Sequence, residues 1–295
     1  MGICANVPER ALAPARYSGQ AYVPHVLHDV ERALLHLDFG RACLWPSCPP
    51  IHVLWMRGLA GDLWMLAGGL LIGVIGGVSM GVWCAQRRRS RRARALETVA
   101  TVAYCTPVFV VGLGLLFLFN GDIGLWPVPY FFDVSPRAFG SPWAAPWDWF
   151  RSYLVPWLVV AAPLGAACLR LTARLTEDEL STDHVRTAVA KGLSHGRVVR
   201  RHAATGAYPA VISLSWGYIP IFIANVVLVE WVFNVPGFWY ATRRALDQDP
   251  SFPGVDVPMV QALALWSAFW IVVIGIFADL ALAAIDPRIR ASGLP

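Results

Sequence analysis

Charge is scarce in this chain of 295 residues: 15% of them are Asp, Glu, Lys or Arg, against roughly 25% in a soluble domain. With 57% of the chain hydrophobic, a water-soluble fold is excluded and a membrane becomes the natural solvent. Lysine is nearly missing, because Lys191 is the single one among 24 basic residues. A net charge of +5 would suggest nucleic acid if the arginines lined one soluble face. They gather instead in two loops between apolar blocks, so no nucleic-acid partner is expected. Also missing is any G-x-x-x-x-G-K-[ST] phosphate loop, which excludes nucleotide hydrolysis of that type by this polypeptide. No four-ligand zinc pattern forms around the six cysteines, and no secretory signal opens the chain. Cys84, Cys105 and Cys168 lie in apolar blocks and read as small hydrophobes. Cys43 and Cys48 flank a Pro-containing segment, where either a disulfide or two free thiols would fit.

What is present is long apolar runs. A bilayer core about 30 Å thick needs roughly 20 apolar helical residues. Five segments meet this length: 64–85, 98–119, 153–169, 207–229 and 258–285. Of these only the last contains an acid, Asp279, while Glu230 borders the fourth. An acid inside a membrane is by default a functional candidate, although a structural partner for a loop arginine fits Asp279 equally well. Arginine is retained on the cytoplasmic side of short loops. The loop after the first span holds Arg87, Arg88, Arg89, Arg91, Arg92 and Arg94, and the loop after the third holds seven more basic residues. Both are expected inside, together with a C-terminus carrying Arg288 and Arg290. The Trp-rich stretch 120–152, residues 231–257 and the first 57 residues are expected outside. Within that first stretch, residues 22–37 have the pattern of a short amphipathic surface helix. The division expected is a segment 1–57 outside the membrane, followed by a membrane domain 58–290.

Gly69, Gly73, Gly77 and Gly81 recur four apart in the first span, with Gly68 and Gly76 beside them. Such a stripe lets a neighbouring helix approach to backbone distance, which is a packing role. Pro107, Pro156, Pro163, Pro209 and Pro220 interrupt backbone hydrogen bonding in or near spans. The region 173–206, between the third and fourth spans, is the most informative. Thr176 followed by Glu179 has the pattern of a capping box, Gly192 offers a helix stop, and Ser194 can cap a second helix running to about His202. A helix, a glycine turn and a second helix are expected to stand out from the membrane. Val185, Val189, Leu193, Val198 and Val199 would form an apolar side, and the arginines a basic one. Such a hairpin suits docking into a groove of a soluble partner.

The stretch HVRTAVAKGLSHGRVVRRHA (184–203), with VEWVFNVPGFW (229–239), DPSFPGVDVPMVQAL and ADLALAAIDPRIR following in order, resembles permeases of the dipeptide, oligopeptide and nickel type of ATP-binding-cassette importer. The resemblance covers roughly residues 30–290. It implies an all-α integral membrane protein of the type I importer permease fold, with five spans and the first helix of that fold missing. It implies a bacterial cytoplasmic (inner) membrane location and no catalytic residue, cofactor or metal in this subunit. The partners it implies are a second permease, two cytoplasmic ATPases and an extracytoplasmic binding protein that delivers peptides or similar small solutes. The ATPases would grip the loop through Arg186, Ala188, Lys191, Gly192, Leu193, Arg197, Arg200 and His202. The pattern departs from the family in having Thr205 and Gly206 where an Asn is common. It also starts where the segment after the family's first helix would be, so a shortened, poorly assembling relative is the alternative. A membrane-embedded enzyme is the other reading. It would need clustered acids or a nucleophile with its base, and none is seen. The spacings of eleven and seven between His184, His195 and His202 make no helical metal pair.

Overall fold

The computed structural model describes Glu31 and residues 50–120, 146–235, 237–240 and 257–285. The expected surface helix 22–37, apart from Glu31, and the pair Cys43 and Cys48 lie outside the described residues. Among those described, the regular elements are helical: α1 (Ile51–Leu71), a π-helical turn (Ile72–Gly76), α2 (Gly77–Gln86), α3 (Arg91–Cys105), α4 (Val108–Asn120), α5 (Pro146–Glu179), α6 (Asp183–Ala190), α7 (His195–Val198), a second π-helical turn (Val199–Ala203), α8 (Ala204–Phe233) and α9 (Val257–Ile285). Among the described residues four helical stretches are long and apolar enough to cross a membrane: Ile51–Gln86, Ser152–Glu179, His195–Phe233 and Met259–Ala284. The pair α3 and α4 makes a fifth if its two arms count as one span.

That pair corrects the expectation of one continuous span over 98–119. The two arms meet at 105°. Proline has no N–H to donate and pushes the residue before it into extended backbone. Thr106, the residue before Pro107, accordingly has ψ 127° and closes α3, its N–H and hydroxyl both donating to the Val102 carbonyl. Val110 N–H then bonds the Pro107 carbonyl to start α4.

The spans also run further than hydropathy alone predicts. The first begins at Ile51, so Asp62 lies within it, and α8 reaches Phe233, so Glu230 does too. Both acids are fully buried, whereas Asp279 is exposed. The third span continues to Glu179 because its charges fall on one side: Arg170 and Arg174 are exposed while Leu169, Thr172, Ala173 and Thr176 are buried.

The chain divides into two compact units, Met1–Leu63 with Val235–Phe269, and Trp64–Asn234 with Trp270–Pro295. In the first, Asp62 is the organising residue. Its Oδ1 accepts from the Phe238 backbone N–H at 2.8 Å and its Oδ2 from the Trp266 indole N–H at 2.6 Å. Trp55 stacks on Trp266 with centroids 5.2 Å apart and meets Phe238 edge-on. Gly58 is required for this approach, since a Cβ there would sit 2.8 Å from the Phe238 Cα. Trp239 completes the layer by donating to the Ser267 hydroxyl.

In the second unit, α5 is the central helix, with α2, α3, α4 and α8 packed on it. Gly73, Gly77 and Gly81 all face it. A Cβ on Gly77 would stand 2.5 Å from the Gly165 carbonyl and 2.8 Å from the Cys168 Cβ, and one on Gly81 would meet Leu169 and Thr172. Gly69 faces Val160 and Phe222, while Gly68 leaves room for the Trp157 ring, whose N–H bonds the Trp64 carbonyl at 2.9 Å. Gly76 has nothing within 4 Å and takes no part. A four-residue spacing overshoots an α-helical turn by roughly 40°, so the stripe would drift away over three steps. The π-helical turn at Ile72–Gly76 winds it back, which keeps Gly77 and Gly81 on α5.

Candidate functional site

The connection from α5 to α8 carries the site. After Glu179 the backbone closes a turn in which Leu180, Ser181 and Thr182 N–H groups bond the carbonyls of Thr176, Asp178 and Glu179. Thr176 is therefore not the cap of a new helix. It sits buried in the last turn of α5, and the real boundary is Thr182, whose extended backbone precedes α6. The Thr182 hydroxyl bonds back to the Glu179 carbonyl at 2.6 Å and contacts His184 Nδ1 at 3.0 Å. Asp183 in the first turn suits the positive end of the helix dipole. Its pair with Arg186, at 3.4 Å, is exposed on both sides and contributes little.

Gly192, at φ +80°, ends the element, with the Lys191 and Gly192 N–H groups bonding Thr187 and Val189 carbonyls. A Cβ at Gly192 would meet nothing within 4 Å, so the glycine answers to backbone conformation and not to crowding inside this chain. Ser194 stands at the start of α7 without a side-chain cap, its carbonyl receiving Arg197 and Val198 N–H groups. The second arm does not stop near His202. It passes through the π-helical turn into α8, so His195–Phe233 is one helical run. The element is thus an elbow: a helix of eight residues, a glycine turn, and the prolonged end of the next span.

The expected apolar side splits in two. Val185, Ala188, Val198 and Ala203 form a closed core under α6, with Leu180 and Leu193 half-buried against it. Val199 is buried with Val82 and Ala204. Val189 alone among these valines points outward, 55% exposed. Arg186, Lys191, Gly192, Arg197 and Arg200 are exposed, His202 is half-buried, and Ala188 is buried. Beside Val189 a shallow cavity of about 310 Å³ is lined by Leu180, Val185, Arg186, Val189, His195 and Val198.

One residue at the base has a different role from the capping-box partner that the sequence suggested. Glu179 lies against Gly206, where a Cβ would come within 2.9 Å of Oε1, and its Oε2 is 3.7 Å from His184 Nε2. It therefore lies between the end of α5 and residues of both α6 and α8. The signal available was Gly206 itself, standing where a larger residue was expected. Among the described residues no group of three His, Cys, Asp or Glu side chains is placed to hold a metal.

Among the described residues, four or five apolar helical crossings with a helix–glycine-turn–helix elbow between two of them define a polytopic membrane protein. The chain belongs to the family described as the binding-protein-dependent transport system inner membrane component, whose profile matches residues 77–291. It is similar to a probable peptide ABC transporter permease of Sinorhizobium fredii, 34% identical over 269 residues, covering 90% of this chain and 79% of that protein. It is also similar to an oligopeptide transport system permease of Mycobacterium tuberculosis, 29% identical over 260 residues (86% and 77% covered). A glutathione transport system permease of Salmonella typhi is 27% identical over 269 residues (91% and 78% covered). The protein is a membrane-spanning permease subunit of a binding-protein-dependent importer. Membership implies, in general terms, a partner permease, ATPases and a binding protein.

Proposed function

We propose that the elbow at 173–206 is the ATPase-coupling loop of a peptide importer of the bacterial inner membrane. The observation that carries this reading is the combination of a rigid underside with a basic outer face: Val185, Ala188 and Val198 are buried together while Arg186, Lys191, Arg197 and Arg200 are exposed. In this reading Arg186, Lys191, Gly192, Arg197 and Arg200 touch the ATPases. Ala188, Leu193 and His202 hold the elbow's shape. Two cytoplasmic ATPases bind and hydrolyse ATP, and their closure pulls on this loop and its counterpart in a second, similar permease. A ligand shifts such an equilibrium only through contacts that differ between the two states, and an elbow continuous with α8 passes that difference into a span. Gly69, Gly73, Gly77 and Gly81 serve helix packing. The loop and the C-terminus are cytoplasmic, residues 1–57 lie outside, and 58–290 form the membrane domain. Peptides or similar small solutes are the cargo, as the names of the peptide and oligopeptide relatives suggest.

The test is co-purification of the tagged full-length chain, co-expressed with its genomic neighbours, against Lys191→Glu and Arg197→Glu. These exposed positions can be changed without opening the core, unlike the buried Ala188. Recovery of ATPases and a second permease with wild type, and loss of the ATPases alone in the variants, is the expected result. Undiminished ATPase recovery in both variants would remove the loop from the coupling role.

A further inference from the structure

A second basic feature stands apart from the elbow. The turn between α2 and α3 is tight: the Arg87 N–H bonds the Cys84 carbonyl at 2.9 Å and the Ser90 N–H bonds the Arg87 carbonyl at 2.7 Å. Ser90 then caps α3, accepting the Arg92 N–H at 3.2 Å. Six arginines fall within eight positions, 87–94, all of them exposed. Three of them, Arg88, Arg89 and Arg94, line one open cleft of about 420 Å³. Arg88 is steadied by Glu177 at the end of α5, its Nε 3.3 Å from the carboxylate, and Arg87 lies over the half-buried Trp83 ring at 5.0 Å. Among the described residues Arg89 and Arg94 form no ion pair.

This arrangement works against the local helix. The first turn of α3 holds no acid, and Arg91, Arg92 and Arg94 crowd the end where the helix dipole is already positive. Three of the six arginines meet at the cleft with Glu177 as the partner of one, and an anion there would offset the remaining positive charge. The flanks say what kind of anion. Seven residues before Arg87, the exposed Met80 marks the outward apolar face of α2, and five residues after Arg94 the exposed Val99 and then Val102 mark that of α3. At 1.5 Å per residue Met80 lies roughly 10 Å before Arg87 and Val99 about 7.5 Å after Arg94, distances comparable to a headgroup layer about 5–8 Å deep. Trp83 is the residue type that settles at that level.

We infer that Arg88, Arg89 and Arg94 form a binding site for the phosphate of an anionic phospholipid headgroup, which anchors the α2–α3 turn to the membrane surface. The guanidinium fork matches phosphate oxygens in pairs, a geometry that an ammonium cannot reproduce.

The full-length chain in mild detergent, equilibrated with phosphatidylglycerol and phosphatidylcholine in equal amount, is washed and its retained lipid counted by native mass spectrometry. Wild type is expected to retain phosphatidylglycerol in preference. R88Q/R89Q/R94Q is expected to lose that preference about a hundredfold, the product of roughly fivefold for each arginine. R88K/R89K/R94K keeps the positive charge that holds the topology, so it covers the case in which the glutamine variant misfolds. It is expected to retain about tenfold less than wild type, because the paired N–H geometry is gone. Equal retention by wild type and the lysine variant would reduce the site to diffuse attraction and overturn the proposal. So would displacement of the lipid by millimolar inorganic phosphate, which would mark a free-anion site. Loss of a co-purifying ATPase in the variants with lipid retention unchanged would likewise overturn it, in favour of a protein-docking surface.

Discussion

Asp62 joins α1 to Phe238, 176 residues away in sequence, and to Trp266 of α9, 204 residues away, with two short hydrogen bonds inside an aromatic cage. A buried N–H that loses its acceptor costs about 1–3 kcal/mol. Asp62→Ala, which orphans the Phe238 and Trp266 donors together, is expected to destabilise by about 2–4 kcal/mol. Asp62→Asn, with one carbonyl oxygen in place of two, is expected to fall between. Thermal unfolding in detergent followed by tryptophan fluorescence checks both, and an unchanged midpoint for Asp62→Ala would refute the role. Gly192 offers a different kind of test, because only its backbone conformation is special. Asn tolerates the left-handed region and Val does not. Gly192→Asn is therefore expected to keep the elbow and Gly192→Val to lose about 1–2 kcal/mol locally, read as faster hydrogen exchange across 183–203 with the spans unaffected.

At the scale of elements, the contrast between neighbouring glycines is the sharpest evidence for how α1, the π-helical turn and α2 meet α5. A methyl at Gly77 collides with the Gly165 backbone, which cannot rotate away, whereas a methyl at Gly76 enters open space. Gly77→Ala is expected to reduce the yield of monodisperse protein and to lower its thermal midpoint by an amount matching about 1–3 kcal/mol. Gly76→Ala is expected to be neutral or slightly stabilising, since alanine favours helix. Equal effects of the two would mean that α2 does not lie on α5 in this register. The stripe was readable as a pattern in the sequence, but which glycines touch α5 was not. The π-helical turn that decides it leaves no residue signature in IGVIG. The bend at Pro107 was half legible: proline announced a break, and its angle came from how α3 and α4 each pack.

At the scale of the whole molecule, α5 has 34 residues and is about 50 Å long, well beyond an apolar core of about 30 Å. Its ends must therefore emerge on opposite sides if it crosses. In a cysteine-free background, Trp147→Cys near its start and Arg197→Cys beyond its end are expected to react with an impermeant thiol reagent from opposite faces of sealed vesicles. The Arg197→Cys label is expected from the cytoplasmic face. Labelling of both from one face would refute the topology. The outward apolar surface belongs to the same scale. Only 11% of the apolar window of α9 is buried within this chain, and Val272, Ile276, Phe277 and Leu280 are exposed along it. Such a surface is stable only against lipid or another apolar helix.

Sequence alone determined the solvent and where the apolar runs lie, because the hydrophobic effect acts on composition over about 20 residues and needs no knowledge of neighbours. It also carried the family motifs and the position of the elbow. Where each helix ends depended on more than local composition. Arg170 and Arg174 are compatible with a long α5 because they occupy its exposed side, and Asp62 is compatible with α1 because Phe238 and Trp266 meet it there. A one-dimensional hydropathy window treats each of those charges as an edge. Tertiary structure alone decided that Thr176 closes a helix instead of opening one, that Ala188 faces inward, and that Glu179 meets Gly206. Each depends on which side of a helix is covered, and that is settled by packing between segments distant in the chain.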